Sequence, residues 1–137
     1  MTTNFHILHV EDDDLDALNV QRLMSQCGAV SGITVAHDGM EALEVLRSET
    51  SDLHDLVILL DICMPRMSGL EFLRALRADP TLCHLPVVVL STSDHEDDKE
   101  TAYRLNVAGY LVKPPSPDRF RKSLFAFASY WSTAELL

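Results

Sequence analysis

Long hydrophobic runs are missing from this chain of 137 residues. No apolar stretch approaches the ~20 residues that span a bilayer, and the start, Met1-Thr2-Thr3-Asn4, carries no basic leader. Neither membrane insertion nor secretion is expected. Cysteine is scarce: Cys27, Cys63 and Cys83 are odd in number and have no C-x-x-C spacing. That suits a reducing cytoplasm better than a disulfide framework. The histidines, His6, His9, His37, His54, His84 and His95, show no H-x-x-x-H spacing that would suggest a transition-metal site. Positive charge is also in short supply, with 11 Lys and Arg against 21 Asp and Glu and a formal net charge of −10. No basic patch interrupts that balance, which disfavours direct binding to nucleic acid. The length suffices for one core and is too short for two ordinary domains. No linker, low-complexity segment or short-period repeat divides the chain.

What is present is a regular alternation. Strand-like segments lie near Phe5–Val10, Ile33–His37, Leu56–Leu60, Val87–Leu90 and Tyr110–Val112. Helical patterns fall between and after them. Leu15, Leu18, Leu23 and Cys27 share one face of the first, and the second opens on Asp38-Gly39, where Asp38 can cap, and runs through Ala42, Leu43 and Leu46. Leu70, Leu73, Leu76 and Arg77 follow helical spacing in the third. An acidic fourth runs from near Asp94 to near Val107, and the last extends from Pro117, suited to a first helical turn, to Thr133. Strict β-α alternation predicts an α/β fold with one doubly wound parallel sheet of five strands and helices on both faces. The polar stretch Ser48–Asp55 reads as a surface loop.

The third strand is apolar throughout, Leu56-Val57-Ile58-Leu59-Leu60, and ends abruptly on Asp61 before the turn Met64-Pro65-Arg66-Met67-Ser68-Gly69. Such a run reads as a strand buried on both faces. It delivers a carboxylate to the rim where open α/β folds place their chemistry. The first strand ends on Glu11-Asp12, the fifth on Lys113-Pro114 and the fourth on Ser91-Thr92-Ser93. In a parallel sheet these ends share one edge. Three carboxylates packed together repel unless a cation sits among them, and Mg²⁺ fits because it takes few protein ligands and keeps waters that a phosphate can replace. Lys113 adds a point charge suited to a phosphoryl oxygen. The acidic run Glu11-Asp12-Asp13-Asp14 leaves two registers open, Glu11-Asp12 and Asp12-Asp13. Val10, the last strand-like residue, favours the first.

The motifs Val10-Glu11-Asp12-Asp13, Gly39-Met40-Glu41-Ala42-Leu43, Asp61 through Gly69, and Gly109-Tyr110-Leu111-Val112-Lys113-Pro114 occur in order. On them the chain resembles the receiver domain of two-component response regulators over essentially its whole length. The resemblance implies the flavodoxin-like (βα)5 fold, with 1–137 as a stand-alone receiver without an output domain. It makes Asp61 the phosphoacceptor, charged from the phosphohistidine of a sensor histidine kinase. Asp12, Asp61 and the backbone carbonyl of Cys63 become Mg²⁺ ligands, with Glu11 acting through water. It assigns Lys113 to the phosphoryl group, with a cis peptide before Pro114. Ser91 is the switch hydroxyl and Tyr110 the switch aromatic, and the changed surface is the fourth helix, fifth strand and fifth helix. The ending Tyr130-Trp131-Ser132 and the Glu-Asp pair resemble small regulators paired with phytochrome-type kinases.

Some positions depart from the family pattern. Cys63, two past Asp61, and Ser93, two past Ser91, offer no acid or amide to position an attacking water, and Thr92 is bulkier than Ala or Gly beside the phosphoryl position. An aspartyl-phosphate hydrolase would need an Asp where Cys63 stands, so the chain is expected not to be an enzyme. Flavin binding would need a phosphate-cradling loop where this chain has consecutive acids. The remaining alternative is a phosphorylation-independent scaffold of the same fold. On the last helix Phe120, Leu124, Phe127, Ala128 and Trp131 form one stripe, while Phe125 and Tyr130 fall off it. One helix buries one stripe against its own domain, so the other aromatics point to a partner; the resemblance to receiver domains, which commonly dimerise through this face, implies a homodimer.

Overall fold

A computed structural model describes residues 4–48, 52–64 and 67–136. Pro65 and Arg66 of the turn after Asp61, residues 49–51 of the polar loop, the first three residues and Leu137 lie outside the described residues. The described elements alternate as β1 (Phe5–Val10), α1 (Asp14–Met24), β2 (Val30–Ala36), α2 (Gly39–Arg47), β3 (Leu56–Leu60), α3 (Gly69–Ala78), β4 (Val87–Ser91), α4 (Glu96–Arg104), β5 (Gly109–Val112) and α5 (Pro117–Thr133). All paired strands run parallel, in the order β2-β1-β3-β4-β5. No described helix is long and apolar enough to cross a membrane.

The period-2 alternation of the strands sorts side chains into two layers. Leu8 and Val10 of β1 join Leu43 and Leu46 of α2 and Phe72 and Leu76 of α3. Phe5 and Ile7 point the other way, onto Val20 and Met24 of α1 and Leu124 and Trp131 of α5. β3 feeds both layers and all its residues are buried, each burial contributing about 1.5–3 kcal/mol. That is the physical reason its sequence has no polar face.

Helix starts are written in capping residues. The side chain of Asp13 accepts from Asp16 N at 3.0 Å and that of Asp38 from Glu41 N at 2.9 Å. Ser68 and Glu71 form a reciprocal capping box. Ser116 accepts from Arg119 N just ahead of Pro117 at the first helical position. α4 differs: its cap residue His95 makes no side-chain bond to the helix.

Three expectations are corrected. α1 does not bury the face carrying Leu15 and Leu18, which are 78% and 61% exposed; Ala17, Val20, Leu23 and Met24 face the sheet instead. At about 100° per residue, Asp16, Val20 and Leu23 lie on one arc and Leu15 and Leu18 on the other side. With that arc on the sheet, Asp16 is carried to the site described below. β2 starts at Val30, earlier than its apolar core suggests, because it is an edge strand and is only half buried. The α5 stripe from Phe120 to Trp131 is buried as expected. Phe125, expected to turn away from its own domain, instead packs half-buried on the second layer with Arg121 5.4 Å above its ring. Tyr130 is exposed, edge-on to Trp131.

Gly69 is demanded by contact with backbone. A Cβ on Gly69 would lie 2.4 Å from both Asp61 O and Ile62 Cα, whereas at Gly28 it would meet nothing within 4 Å. α3 therefore starts against the backbone that carries Asp61. Gly69→Ala is expected to lower the unfolding free energy by about 1–3 kcal/mol, the cost of overpacking. Gly28→Ala should leave it within about 1 kcal/mol. Urea midpoints of the two variants, measured side by side, check this.

Candidate functional site

Because the strands are parallel, β1, β3, β4 and β5 all end at one edge, and the strand order reverses between β1 and β3. Ligand sites in open α/β sheets form at such a point. There the chain places Glu11 and Asp61, both buried, with Asp12 exposed beside them. Each offers a carboxylate oxygen within 4.8 Å of the others. Lys113, at the end of β5, donates from Nζ to Glu11 Oε1 at 2.7 Å and to Asp16 Oδ2 at 2.8 Å, and stands 3.6 Å from Asp61 Oδ2. The other oxygen of Asp61, Oδ1, accepts from Cys63 N at 3.0 Å. The carboxylate is thus fixed by the turn that follows it.

The acids after β1 are used differently. Asp13 is spent as the α1 cap, and its N–H donates to Glu11 Oε2 at 3.3 Å. Glu11 and Asp12 face Asp61. Burial pushes the Glu11 carboxyl up to about 8; the Asp61 carboxylate adds to the rise and Lys113 opposes it. Lys113 behaves in the opposite sense. Burial disfavours its charge, but the hydrogen bonds to Asp16 and Glu11 outweigh this and hold it above the ordinary lysine value. The carboxylates outnumber the single ammonium, and an all-oxygen donor set with surplus negative charge suits a hard divalent cation such as Mg²⁺ or Mn²⁺.

The hydroxyl side of the rim is a connected chain. Ser91 is fully buried; its Oγ donates to Cys63 Sγ at 3.7 Å and accepts from Ser93 N at 3.3 Å. Ser93 Oγ donates to Asp98 Oδ2 at 2.5 Å, and Tyr110 OH donates to Ser93 O at 2.9 Å. Ser93 therefore links Ser91, the first turn of α4 and Tyr110. Thr92 is exposed beside them. The described residues contain no cis peptide, so the bond before Pro114 is trans, the isomer generally favoured by about 0.5–1 kcal/mol. Lys113 reaches its carboxylates from that geometry.

Two residues at the site were given no role by the sequence. Asp16 stands with the acidic cluster that follows β1, set apart from the solvated surface charge, but its reach to Lys113 follows only from the rotation of α1. His9 lies in β1 beneath Glu11, with no exposure and both ring nitrogens unpartnered; Nε2 is 3.9 Å from Glu11 Oε1. Burial lowers its pKa to about 4, with Lys113 adding to the effect and Asp61 opposing it. It is a neutral imidazole where a strand this deep ordinarily carries an aliphatic side chain.

Residues 7–125 match the model of the response regulator receiver domain. The probable methanogenesis regulatory protein FilR2 of Methanothrix harundinacea is 34% identical over 129 residues, covering 93% of this chain and 83% of that protein. Response regulator Rcp1 of Synechocystis sp. is 34% identical over 129 residues, covering 91% and 87%. The crystal structure of the phosphorylated cyanobacterial phytochrome response regulator RcpA is similar with a TM-score of 0.88 at 33% identity, covering 98% of this chain and 99% of that one. The Mn²⁺-bound form of Rcp1 gives 0.85 at 31% identity, covering 97% and 98%.

The buried imidazole has a consequence for stability. With a folded pKa near 4 against an unfolded value of 6.5, the unfolded chain binds more protons between those limits. Stability is therefore lost as pH falls through that window, by about 3 kcal/mol at roughly 1.4 kcal/mol per unit. His9→Leu should flatten the loss and raise stability at pH 7 by about 1 kcal/mol, because an unpaired buried polar group is removed. Urea unfolding of both proteins at pH 7 and pH 5 checks the sign; equal pH slopes would contradict it.

Proposed function

The chain belongs to the response regulator receiver domains of two-component signalling, and from that premise we propose that Asp61 takes a phosphoryl group from the phosphohistidine of a sensor histidine kinase. The observation that carries the proposal is the setting of Asp61. Its Oδ2 is 3.6 Å from Lys113 Nζ, and the carboxylate lies against the Glu11-Asp12 pair at the strand rim. In the transfer an Asp61 oxygen attacks phosphorus, the P–N bond breaks, and its electron pair returns to the partner's imidazole. The product is an aspartyl phosphate with charge of about −1.5 to −2. Lys113 is placed to bond one phosphoryl oxygen and Ser91 another. Asp12, Asp61 and the Cys63 carbonyl would hold Mg²⁺, with Glu11 beside them, and the ion would supply positive charge against the phosphoryl oxygens.

The same groups carry the readout. If Ser91 turns its hydroxyl to the phosphoryl group, it leaves Cys63 and Ser93 N, and Ser93 is the residue that holds both Asp98 and Tyr110. The signal then leaves through α4, β5 and α5. The chain acts as a self-catalysed phosphoacceptor rather than as an enzyme with its own turnover, since Cys63 offers no acid or base two residues past Asp61. A phytochrome-type kinase is the favoured donor, a reading supported by the likeness to the phytochrome response regulator RcpA. Exposed Tyr130 on α5 supports a homodimer. The cytoplasm is the proposed location, supported by three free cysteines, and nucleic acid is no partner for a chain of net charge −10.

Incubation of the pure protein with Mg²⁺ and acetyl phosphate, followed by intact mass, tests the reading. A gain of one phosphoryl group (about 80 Da) is expected, lost in Asp61→Asn and abolished by chelation of the metal. No gain would favour the scaffold reading. Sedimentation of the phosphorylated and unphosphorylated protein across concentrations tests the homodimer; a monomer throughout would refute it.

A further inference from the structure

Lys113 ends in an ammonium with three donor hydrogens, and two are committed, to Glu11 Oε1 and Asp16 Oδ2. Asp61 Oδ2, at 3.6 Å, is within ion-pair reach but too far for a hydrogen bond. The resting ammonium is therefore turned away from the phosphoacceptor and toward α1. Glu11 and Asp61 belong to the trio of carboxylates able to hold a cation, and Asp16 does not. A bound cation draws on Lys113's other partners and leaves Asp16 free to keep its hold. Asp16 is also fixed in place independently of Lys113. Asp13 caps its helix through Asp16 N, and Val20, Leu23 and Met24 on the same arc are buried against the sheet.

The two arms of Lys113 differ in solvation. The Glu11 side chain is 0% exposed and that of Asp16 38%. Water can replace the ammonium at Asp16 but not at Glu11, so the Asp16 arm is the one that yields when a new anion arrives.

We propose that Asp16 is a latch on Lys113: it holds the ammonium toward α1 in the unphosphorylated protein and competes for it with the phosphoryl group on Asp61. This rests on the reading of Asp61 as phosphoacceptor. Asp16 is a positioning residue, acting through Lys113, and sets how readily the site is loaded. Loading then costs the Asp16 pair, and removing the pair beforehand favours loading.

The test uses the full chain saturated with Mg²⁺ and titrated with beryllofluoride as the phosphoryl mimic, with the bound fraction read by fluorine NMR. Asp16→Asn removes the charge at constant size. Asp14→Asn is the matched control, because Asp14 is also an acid of the first turn of α1, is 90% exposed and contacts His37 rather than Lys113. The half-saturating beryllofluoride concentration should fall roughly two- to fivefold in Asp16→Asn, the range a partly solvated ion pair accounts for, and stay at the wild-type value in Asp14→Asn. Equal shifts in both variants would reduce the effect to net charge and overturn the latch. Weaker binding in Asp16→Asn would overturn it too, by making Asp16 a helper rather than a competitor. Wild-type protein that binds no beryllofluoride would refute the phosphoacceptor reading itself, and the latch with it.

Discussion

Lys113 brings one positive charge to a place where the end of β1, the first turn of α1 and the end of β3 all deliver carboxylates. Its side chain is 10% exposed, so water screens little of what it feels. Opposite charges about 4 Å apart attract by about 4 kcal/mol at an effective dielectric near 20, while each buried ion forfeits several kcal/mol of hydration. One ammonium therefore cannot neutralise Glu11, Asp16 and Asp61 together. Burial raises the pKa of Glu11, and the neighbouring Asp61 carboxylate adds to the rise although Lys113 opposes it. A site with this surplus of oxygen ligands is stable in two ways, by keeping a proton or by taking a cation.

The sheet makes this arrangement possible and also limits it. Strand ends fix where the main chain delivers Glu11, Asp61, Ser91 and Lys113, but side-chain contacts set how the surrounding helices sit. α1 is rotated so that Asp16 meets Lys113 and Val20 meets the sheet, which leaves Leu15 and Leu18 in solvent. α3 is pressed so closely on the Asp61–Ile62 backbone that its first residue has no room for a Cβ. Asp61 is held from behind by packing and in front by electrostatics.

That division explains what could be read from the sequence. β1 and β3, the capped start of α2 and the full length of α5 were legible, because burial on two faces, a capping Asp and Pro117 leave local signatures. The acidic pair, Asp61, Ser91 and Lys113 were legible because parallel topology alone brings strand ends together. The buried face of α1 was not. Leu15 and Leu18 satisfy helical periodicity as well as Val20 and Met24 do, and the choice between the two faces is made by packing against the sheet and α5, which periodicity does not show. Asp16 was hidden for the same reason. His9 was hidden because its oddity lies in being buried without a partner, which only packing reveals. Periodicity places Phe125 off the stripe, yet it packs half-buried on its own domain with Arg121 above its ring.

The two ends of α4 are held very differently, and this gives a direction to any change that starts at Ser91. At the far end the Arg77 guanidinium donates to four backbone carbonyls, of Leu105 at 2.7 Å, Asn106 at 3.0 Å, Cys83 at 2.8 Å and Leu85 at 2.7 Å. This cross-links the close of α4 to the approach of β4 through charge-assisted bonds. At the near end His95 supplies no cap, and the first turn, Glu96-Asp97-Asp98, is tied down through Ser93 Oγ to Asp98. Ser93 is in turn tied to Ser91 and Tyr110. A rearrangement of the Ser91 hydroxyl therefore reaches the weakly anchored end of α4 first, while the Arg77 end stays fixed. The helix can pivot at its start without coming off the sheet.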